Sequence, residues 1–201
     1  MNSMYLCSLP QDIEKITAVL GTAFLESPSP GGMIKDTVRR KKAVYMVWKL
    51  ILDMRDDVLE VTADSPACNC CAIWDKTGLP DAGPEMIEPL LTVMTEEELQ
   101  IQGEILNDFI ENREALNLPD DTEYLVGAGT LPEYRGRGLA SSLIRERMKL
   151  TDAEGRAIYL ETNAEYDAAL YRHLGFAVQR KEYNPRTGVM SWYMVHYPEK
   201  P

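Results

Sequence analysis

The stretch that most constrains the fold is a strand, a short glycine loop and a helix between residues 124 and 150. The apolar run 124–130 has the composition of a buried strand, and residues 141–150 have helical character. The loop between them reads Leu-Pro-Glu-Tyr-Arg-Gly-Arg-Gly-Leu-Ala. Glycines let a ligand approach the backbone, and the unpaired N–H groups at a helix start suit a phosphate. The unit predicts a phosphate-binding loop, with a plain strand–helix turn as the alternative.

The spacing of the loop residues excludes two common nucleotide-binding motifs. The chain has no G-x-x-x-x-G-K-[ST] here, and no third glycine completes G-x-G-x-x-G. What remains is an [RQ]-x-x-G-x-[GA] pattern, formed by Arg135, Gly138 and Ala140.

This segment resembles the coenzyme A loop of the GNAT superfamily of N-acetyltransferases, whose usual form is V-x-P-x-[YF]-[QR]-G-x-G-[IL]-[GA]. Thr130 stands where valine is usual. Downstream, residues 158–162 resemble the family's fifth strand, and residues 170–176 resemble its L-Y-x-x-x-G-F signature. The resemblance covers residues 122–180. The loop positions that match are Pro132, Tyr134, Arg135, Gly136, Gly138, Leu139 and Ala140.

The resemblance implies an α/β (α+β) fold with a mixed central sheet of about seven strands flanked by helices. We expect residues 1–201 to form a single acetyltransferase domain. The implied co-substrate is acetyl-coenzyme A, and the implied acceptor is a primary amine of a small molecule or a peptide. A non-catalytic coenzyme A-binding or interaction module on the same fold is the alternative.

Composition limits the class of partner. Hydrophobic residues make up 45% of the 201-residue chain, which is enough for a sizeable core. The net charge of −11 argues against binding nucleic acid or an anionic membrane, because both would be repelled. It is compatible with a cationic acceptor, although solubility alone also explains it. No run is long and apolar enough to span a membrane, and the first three residues show no signal pattern, so we expect a cytoplasmic protein. Both a monomer and a homodimer are compatible with the sequence.

The four cysteines do not have the spacing of a metal site. Three of them form a C-x-C-C cluster at residues 68–71, and the two histidines, His173 and His196, are not spaced as partners for it. A structural zinc site needs four well-spaced ligands. We therefore predict no metal and a buried strand in a reducing compartment.

Periodicity predicts the remaining elements. The N-terminal part reads as a strand at 4–8, a helix starting at Pro10 and a second helix with apolar residues from Ile34 to Leu52. The basic run 39–42 on that helix reads more readily as a solvated face than as a ligand contact. The further strands predicted are 58–63, 70–74, 157–162, 176–183 and 189–196, with a helix at 165–174.

Residues 79–121 read as a helical insertion. Two apolar runs with helical spacing lie on either side of a capping box formed by Thr95 and Glu98. The family usually joins its third and fourth strands, which correspond here to residues 70–74 and 124–130, by a short turn. This chain resembles a subset of the family with a helical insert at that place. We expect the insertion to cover the acceptor side of the cleft. A cap on the core or a dimer face is the alternative.

The resemblance also implies the coenzyme site. The pyrophosphate would bind the amides from Arg135 to Ala140 at the start of the helix. The thioester carbonyl and the pantetheine arm would lie along the fourth strand, where a bulge in the region 128–130 separates it from the fifth. Gly127 and Gly129 fit a strand that bends away from its neighbour and admits a ligand. Ala164 stands where the family often has a coenzyme-binding asparagine, and Asn163 is the candidate substitute. The predicted residues are Ala128, Gly129, Thr130, Leu131, Arg135, Gly136, Arg137, Gly138, Leu139, Ala140, Ser141 and Asn163.

Tyr171 occupies the family's general-acid position in L-Y-x-x-x-G-F, and an ordinary packing tyrosine is the alternative. A phenol is protonated at neutral pH and can donate to the leaving sulfur. Glu161 and Glu123, at the ends of two strands, are the candidate bases. Trp74 and Tyr193 are the candidates for lining the acceptor site.

Overall fold

A computed structural model describes residues 4–7, 11–29, 31–75 and 84–198. Its seven strands form one mixed sheet in the order β1-β2-β3-β4-β5-β7-β6. All neighbouring strands are antiparallel except β4 and β5, which are parallel. The predicted fold class is confirmed. The strands are β1 (Tyr5–Leu6), β2 (Leu59–Ala63), β3 (Cys70–Asp75), β4 (Glu123–Thr130), β5 (Ile158–Thr162), β6 (Ala177–Asn184) and β7 (Val189–His196).

Six α-helices cover the two faces of the sheet. Helices α1, α2 and α4 lie on one face, where Val126 of β4 contacts both of their apolar clusters. Helices α5 and α6 lie on the other face, packed on a cluster that includes Leu125 and Leu160. The helices are α1 (Ile13–Ala23), α2 (Thr37–Met54), α3 (Pro84–Leu90), α4 (Glu96–Ala115), α5 (Leu139–Glu154) and α6 (Glu165–Leu174).

Local sequence signals set several helix ends. The predicted capping box is present at α4, because Glu98 N donates to Thr95 Oγ1 at 3.2 Å and Thr95 N donates to Glu98 Oε2 at 2.9 Å. Asp36 caps α2 by accepting from Arg39 N at 2.7 Å. Gly155 ends α5 in the left-handed conformation that glycine adopts most easily.

Along the chain, helices α3 and α4 connect β3 to β4, within the stretch predicted to be a helical insertion. Arg39 of α2 forms a two-pronged ion pair with Glu98 of α4, so the basic run on α2 is only partly a solvated face. On the opposite side of α4, Asn184 Nδ2 donates to Asp108 Oδ2 at 2.5 Å. Helix α4 therefore bridges α2 and the β6–β7 hairpin. The first residues of the predicted insertion, 79–83, lie outside the described residues.

Strands β4 and β5 pair only at their beginnings. The parallel register covers Glu123 with Ile158 and Tyr124 with Tyr159. Beyond these pairs β4 stays with β3 and β5 stays with β7, so a wedge opens between the two central strands. A register shift opposite Ile73 and Trp74 makes Val126 the extra residue of a β-bulge. The bulge thus precedes the region 128–130 in which the sequence placed it.

Two glycines of β4 serve helix packing. A Cβ added to Gly127 would lie 2.6 Å from Cη2 of Trp48, and one added to Gly129 would lie 2.9 Å from Cβ of Ala23. The sequence suggested that these glycines open the strand to a ligand. The space where their side chains would lie is taken by α1 and α2, which reach the sheet closely, and both glycines also line the cavity described below.

Cys70 and Cys71 lie in strand β3 as predicted, whereas Cys7 and Cys68 lie outside the strands. Cys7, Cys68, Cys70 and Cys71 are buried and free. Within the described ranges, no group of histidine, cysteine or carboxylate side chains could hold a metal ion. No helix in the described part of the chain has the length and apolar character needed to cross a bilayer. The predicted helix start at Pro10 lies outside the described residues.

Candidate active site

A cavity of about 1180 Å³ fills the wedge between β4 and β5. One half is lined by the glycine loop, the start of α5 and the inner side of α6. The other half is lined by the end of α1, the middle of α2, and helices α3 and α4. We refer to them as the coenzyme half and the acceptor half. The diverging strands connect the two halves, and Glu161 at the end of β5 lies on the wall.

The glycine loop presents its backbone to the coenzyme half. Gly136 and Gly138 both have φ near +73°, a conformation that favours glycine. Among the described residues, the amides from Gly136 to Ser141 have no hydrogen-bond partner. The amide of Arg135 does have one, because it donates to the carbonyl of Pro132 at 3.2 Å. The predicted amide cradle therefore begins at Gly136 and not at Arg135.

The free edge of β4 continues this polar surface. Leu131 N donates across to Asn69 O of the neighbouring strand at 2.9 Å. Because N–H groups alternate sides along an antiparallel strand, those of Ala128 and Thr130 face the open edge, and that of Gly129 faces β3. Arg135 Nε donates to the carbonyl of Thr130 at 3.2 Å, which fixes the loop against this edge.

Two predicted coenzyme residues do not line the cavity. Leu131 packs against the apolar cluster under α1 and α2. The guanidinium of Arg137 lies 5.0 Å from the centre of the Tyr134 ring and donates to the carbonyl of Glu133 at 3.0 Å. The others do line it, namely Ala128, Gly129, Thr130, Arg135, Gly136, Gly138, Leu139, Ala140, Ser141 and Asn163.

Asn163 is held in place from the β7 side. Its Nδ2 donates to Ser191 Oγ at 2.8 Å, and the residue borders the coenzyme half next to the start of α6. The position of Asn163 is thus compatible with the predicted contact to a bound coenzyme.

Tyr171 on α6 lines the cavity between the two halves. Its ring packs edge-on against Phe176, with 5.8 Å between ring centres. Burial raises the pKa of the Tyr171 phenol, and the nearby carboxylates of Asp167 and Glu161 raise it further. The phenol therefore stays protonated at neutral pH and is available as a proton donor.

Glu161 is the carboxylate whose proton affinity suits a base. Burial raises the pKa of Glu161 to about 7, while the hydroxyls of Tyr124 and Tyr159 and the charge of Arg113 act in the opposite direction. Tyr124 donates a hydrogen bond to Glu161 Oε1. The Arg113 guanidinium of α4 lies 5.3 Å from the centre of the Tyr124 ring. A pKa near the working pH is what general-base catalysis requires.

The prediction of Glu123 as a base is wrong. Its side chain has no exposed surface and forms a two-pronged ion pair with Arg147 of α5, with Nε to Oε2 at 2.9 Å. Arg156 lies at 3.8 Å from the same carboxylate. Successive strand residues point to opposite faces, so Glu123 lies under α5 while Tyr124 faces the cavity. Its charge stabilises the α5 side of the core.

Trp74 and Tyr193 do not line the acceptor half either. Both side chains are completely buried. Trp74 Nε1 donates to Thr62 Oγ1 at 2.9 Å. The Tyr193 hydroxyl accepts from Asn112 Nδ2 of α4 at 3.2 Å, so α4 covers it. Both residues belong to the packed core.

Helices α3 and α4, from the insertion expected to cover the acceptor side of the cleft, line the acceptor half together with α1 and α2, but the sequence did not single out the individual residues. Their only signal was helical periodicity, and a helix that lines a cavity shows the same apolar face as one that packs on a core. Glu26 and Glu96 are exposed at its rim. The apolar lining consists of Phe24, Trp48, Ile51, Met86, Ile87, Leu90, Leu91, Leu99, Leu106 and Phe109.

Comparison with known proteins gives a consistent assignment. Residues 93–178 match the family model of the GNAT acetyltransferase domain. An uncharacterised N-acetyltransferase of Schizosaccharomyces pombe is 35% identical over 83 residues, which are 41% of this chain and 33% of that protein. The chain thus spans only about a third of the length of that relative.

Solved structures share the fold over nearly the whole chain. A Corynebacterium glutamicum structure, described as histone acetyltransferase HPA2 and related acetyltransferase, superposes with a TM-score of 0.66 at 21% identity, covering 99% of this chain and 98% of that one. The ribosomal-protein-S18-alanine N-acetyltransferase of Escherichia coli gives 0.55 at 12% identity, covering 99% and 96%. The resemblance to a subset with a helical insert stays a prediction. The family match over residues 93–178 and the shared fold together show that this chain is similar to the GNAT acetyltransferases.

Proposed function

We propose that the protein transfers the acetyl group of acetyl-coenzyme A to the primary amine of an acceptor. The observation that carries this proposal is the continuity of one cavity. It connects the unpaired amides at the start of α5 with the half-buried phenol of Tyr171 and the half-buried carboxylate of Glu161. The family match and the N-acetyltransferase named among its relatives support the same activity.

The coenzyme half supplies the binding groups. The amides from Gly136 to Ser141 and the dipole of α5 would bind the pyrophosphate. The free edge of β4 would pair with the pantetheine arm as an additional strand does. The N–H groups of Ala128 and Thr130 face this edge, so one of them can donate to the thioester oxygen as negative charge develops on it.

The proton transfers follow from the two pKa shifts. Glu161 takes a proton from the acceptor ammonium and leaves a neutral amine. The amine nitrogen attacks the thioester carbon, and the C–S bond breaks as the amide forms. Tyr171 gives its proton to the departing sulfur, and its phenolate is reprotonated by the proton that the new amide loses. The products are the N-acetylated acceptor, coenzyme A as a thiol and one proton held by Glu161.

Calorimetric titration with acetyl-coenzyme A tests the binding part. Gly138→Asp places a carboxylate where the pyrophosphate would lie, and we expect binding to weaken roughly 100-fold or more. Gly155→Asp is the matched control, because this glycine has the same left-handed conformation at the opposite end of α5. Equal losses in both variants would point to backbone strain and contradict the assigned site.

Thiol release tests the transfer part. With an amine panel, we expect acetyl-coenzyme A to give free thiol at a rate that depends on the amine. A non-catalytic module predicts binding of acetyl-coenzyme A with thiol release no higher than background for every amine. That result would contradict the proposed function and leave the binding site in place.

A further inference from the structure

We infer that the acceptor is an apolar primary monoamine, with one ammonium group on an aliphatic or arylalkyl body. This inference rests on the proposed function and specifies the class of substrate. The acceptor half of the cavity provides one inner carboxylate surrounded by apolar walls, and this arrangement selects against acceptors with a second charge.

The walls of the acceptor half are hydrocarbon and aromatic on several helices. Phe24 and Trp48 meet with 4.7 Å between ring centres at an angle of 55°, which forms an aromatic wall next to β4. Leu99, Leu106 and Phe109 of α4 line the cavity as well. Apolar walls contribute affinity in proportion to the apolar surface that a ligand buries against them.

Ionisable groups are distributed unevenly along the cavity. Glu161 is the carboxylate at the inner end, beneath α4 and beside Tyr124. Among the described residues that line the acceptor half, the other carboxylates are Glu26 and Glu96, which are exposed at the rim. Glu26 is paired with Arg40 at 3.2 Å. Asp167 lies on α6 in the coenzyme half, where the charge of Arg135 acts on it.

Two polar side chains on the wall, Ser29 and Gln102, are hydrogen-bonded to each other. The amide oxygen of Gln102 accepts from Ser29 Oγ at 2.7 Å, which joins the α1–α2 connection to α4. A peptide chain or a second ammonium deep in this half would lose its hydration without gaining hydrogen bonds. A single ammonium at Glu161 keeps its charge paired, and an apolar body fills the remaining space.

Two amines of equal chain length test the inference directly. Hexylamine and 1,6-diaminohexane differ only in the second ammonium group. Using thiol release, we expect kcat/KM for hexylamine to exceed that for 1,6-diaminohexane by at least about tenfold, since one buried unpaired charge costs well over 1.4 kcal/mol, the equivalent of a factor of ten. We expect 2-phenylethylamine to be accepted as readily as hexylamine.

A charge variant extends this comparison. Leu106→Glu adds a carboxylate to the acceptor half, and we expect it to reduce or reverse the preference for hexylamine. Leu150→Glu is the matched control, because Leu150 is exposed on α5 and outside the cavity. Thermal unfolding of both variants confirms that they are folded before their kinetics are compared.

The outcomes separate this inference from the proposed function. Turnover of 1,6-diaminohexane at least as fast as hexylamine in the wild type overturns the monoamine assignment and leaves acetyl transfer intact. An unchanged preference in folded Leu106→Glu overturns the placement of the acceptor body against α4. Absence of amine-dependent thiol release with these three amines overturns the monoamine assignment, whereas the proposed function is contradicted only when every amine of the panel gives none.

Discussion

The two halves of the cavity are built from different parts of the chain and from different chemical groups. The coenzyme half presents main-chain amides of a single continuous segment, residues 136–141, and the free edge of β4. The acceptor half presents side chains of four helices that together extend over about 100 residues of the chain, from α1 to α4. A binding surface made of backbone depends on conformation, and one made of side chains depends on residue identity. The first is therefore expected to resist most side-chain changes, and the second is not.

Glu161→Gln gives the largest expected effect in the half that depends on side chains. Loss of the base should lower kcat/KM for the amine roughly 10² to 10³-fold, while calorimetry with acetyl-coenzyme A shows unchanged affinity. Glu146→Gln on the exposed face of α5 is the control. If Glu161→Gln lost affinity for acetyl-coenzyme A instead, Glu161 would contribute to the coenzyme half. That result would contradict the division of roles between the two halves.

The raised pKa of Glu161 makes this prediction dependent on pH. Activity of the wild type should rise as pH increases through about 7, because the carboxylate must be ionised to act as a base. The ordinary value is 4.5, so keeping the buried group ionised costs stability increasingly from pH 4.5 to 7. Glu161→Gln should therefore be more stable by about 1 to 3 kcal/mol above pH 7. Denaturant unfolding should show no gain below pH 4.5.

Tyr171→Phe lies at the junction of the two halves. Without the phenol, the thiolate leaves unprotonated, and we expect kcat to fall roughly 100-fold with little change in the affinity for acetyl-coenzyme A. Tyr183→Phe is the control, because Tyr183 is exposed on β6 and outside the cavity. If steady-state kinetics showed full activity in Tyr171→Phe, the proton-donor role would be contradicted. Tyr171 would then only pack against Phe176.

Arg137→Ala tests whether a side chain of the glycine loop contributes to coenzyme binding, and it has the smallest expected effect. Its guanidinium stacks on Tyr134 away from the cavity, so we expect the Kd for acetyl-coenzyme A to change less than about threefold, a cost within 1 kcal/mol. Arg135→Ala should cost more, because Arg135 fixes the loop to the carbonyl of Thr130. If calorimetry showed that Arg137→Ala loses as much affinity for acetyl-coenzyme A as Gly138→Asp does, side-chain charge and not the backbone would bind the coenzyme.

The coenzyme half was predictable because its signals are local. Gly136 and Gly138 need positive φ, and an unpaired helix start follows them directly, so a few consecutive residues specify the geometry. The capping box at Thr95 and the order of the strands are local or follow from connectivity. The single-domain organisation, the cytoplasmic location and the possible homodimer stay predictions.

The acceptor half was not predictable because side-chain direction and neighbours decide it. Glu123 and Glu161 both lie at strand ends, yet Glu123 points under α5 to Arg147 and Glu161 faces the cavity. Trp74 carries an aromatic side chain on a central strand and still lies entirely within the core. Sequence spacing assigns a residue to a strand, whereas the face it occupies depends on register and on which helix covers it.

By itself, the sequence determined the strand–loop–helix unit, the positions of most elements and the resemblance to the GNAT acetyltransferases. Each of these depends on residues that are close together in the sequence. The tertiary structure alone decided which strand-end carboxylate borders the cavity, that Gly127 and Gly129 make room for helices, and which side chains of α1 to α4 line the acceptor half. These depend on groups far apart in the chain, whose burial and charge take effect only after folding brings them together.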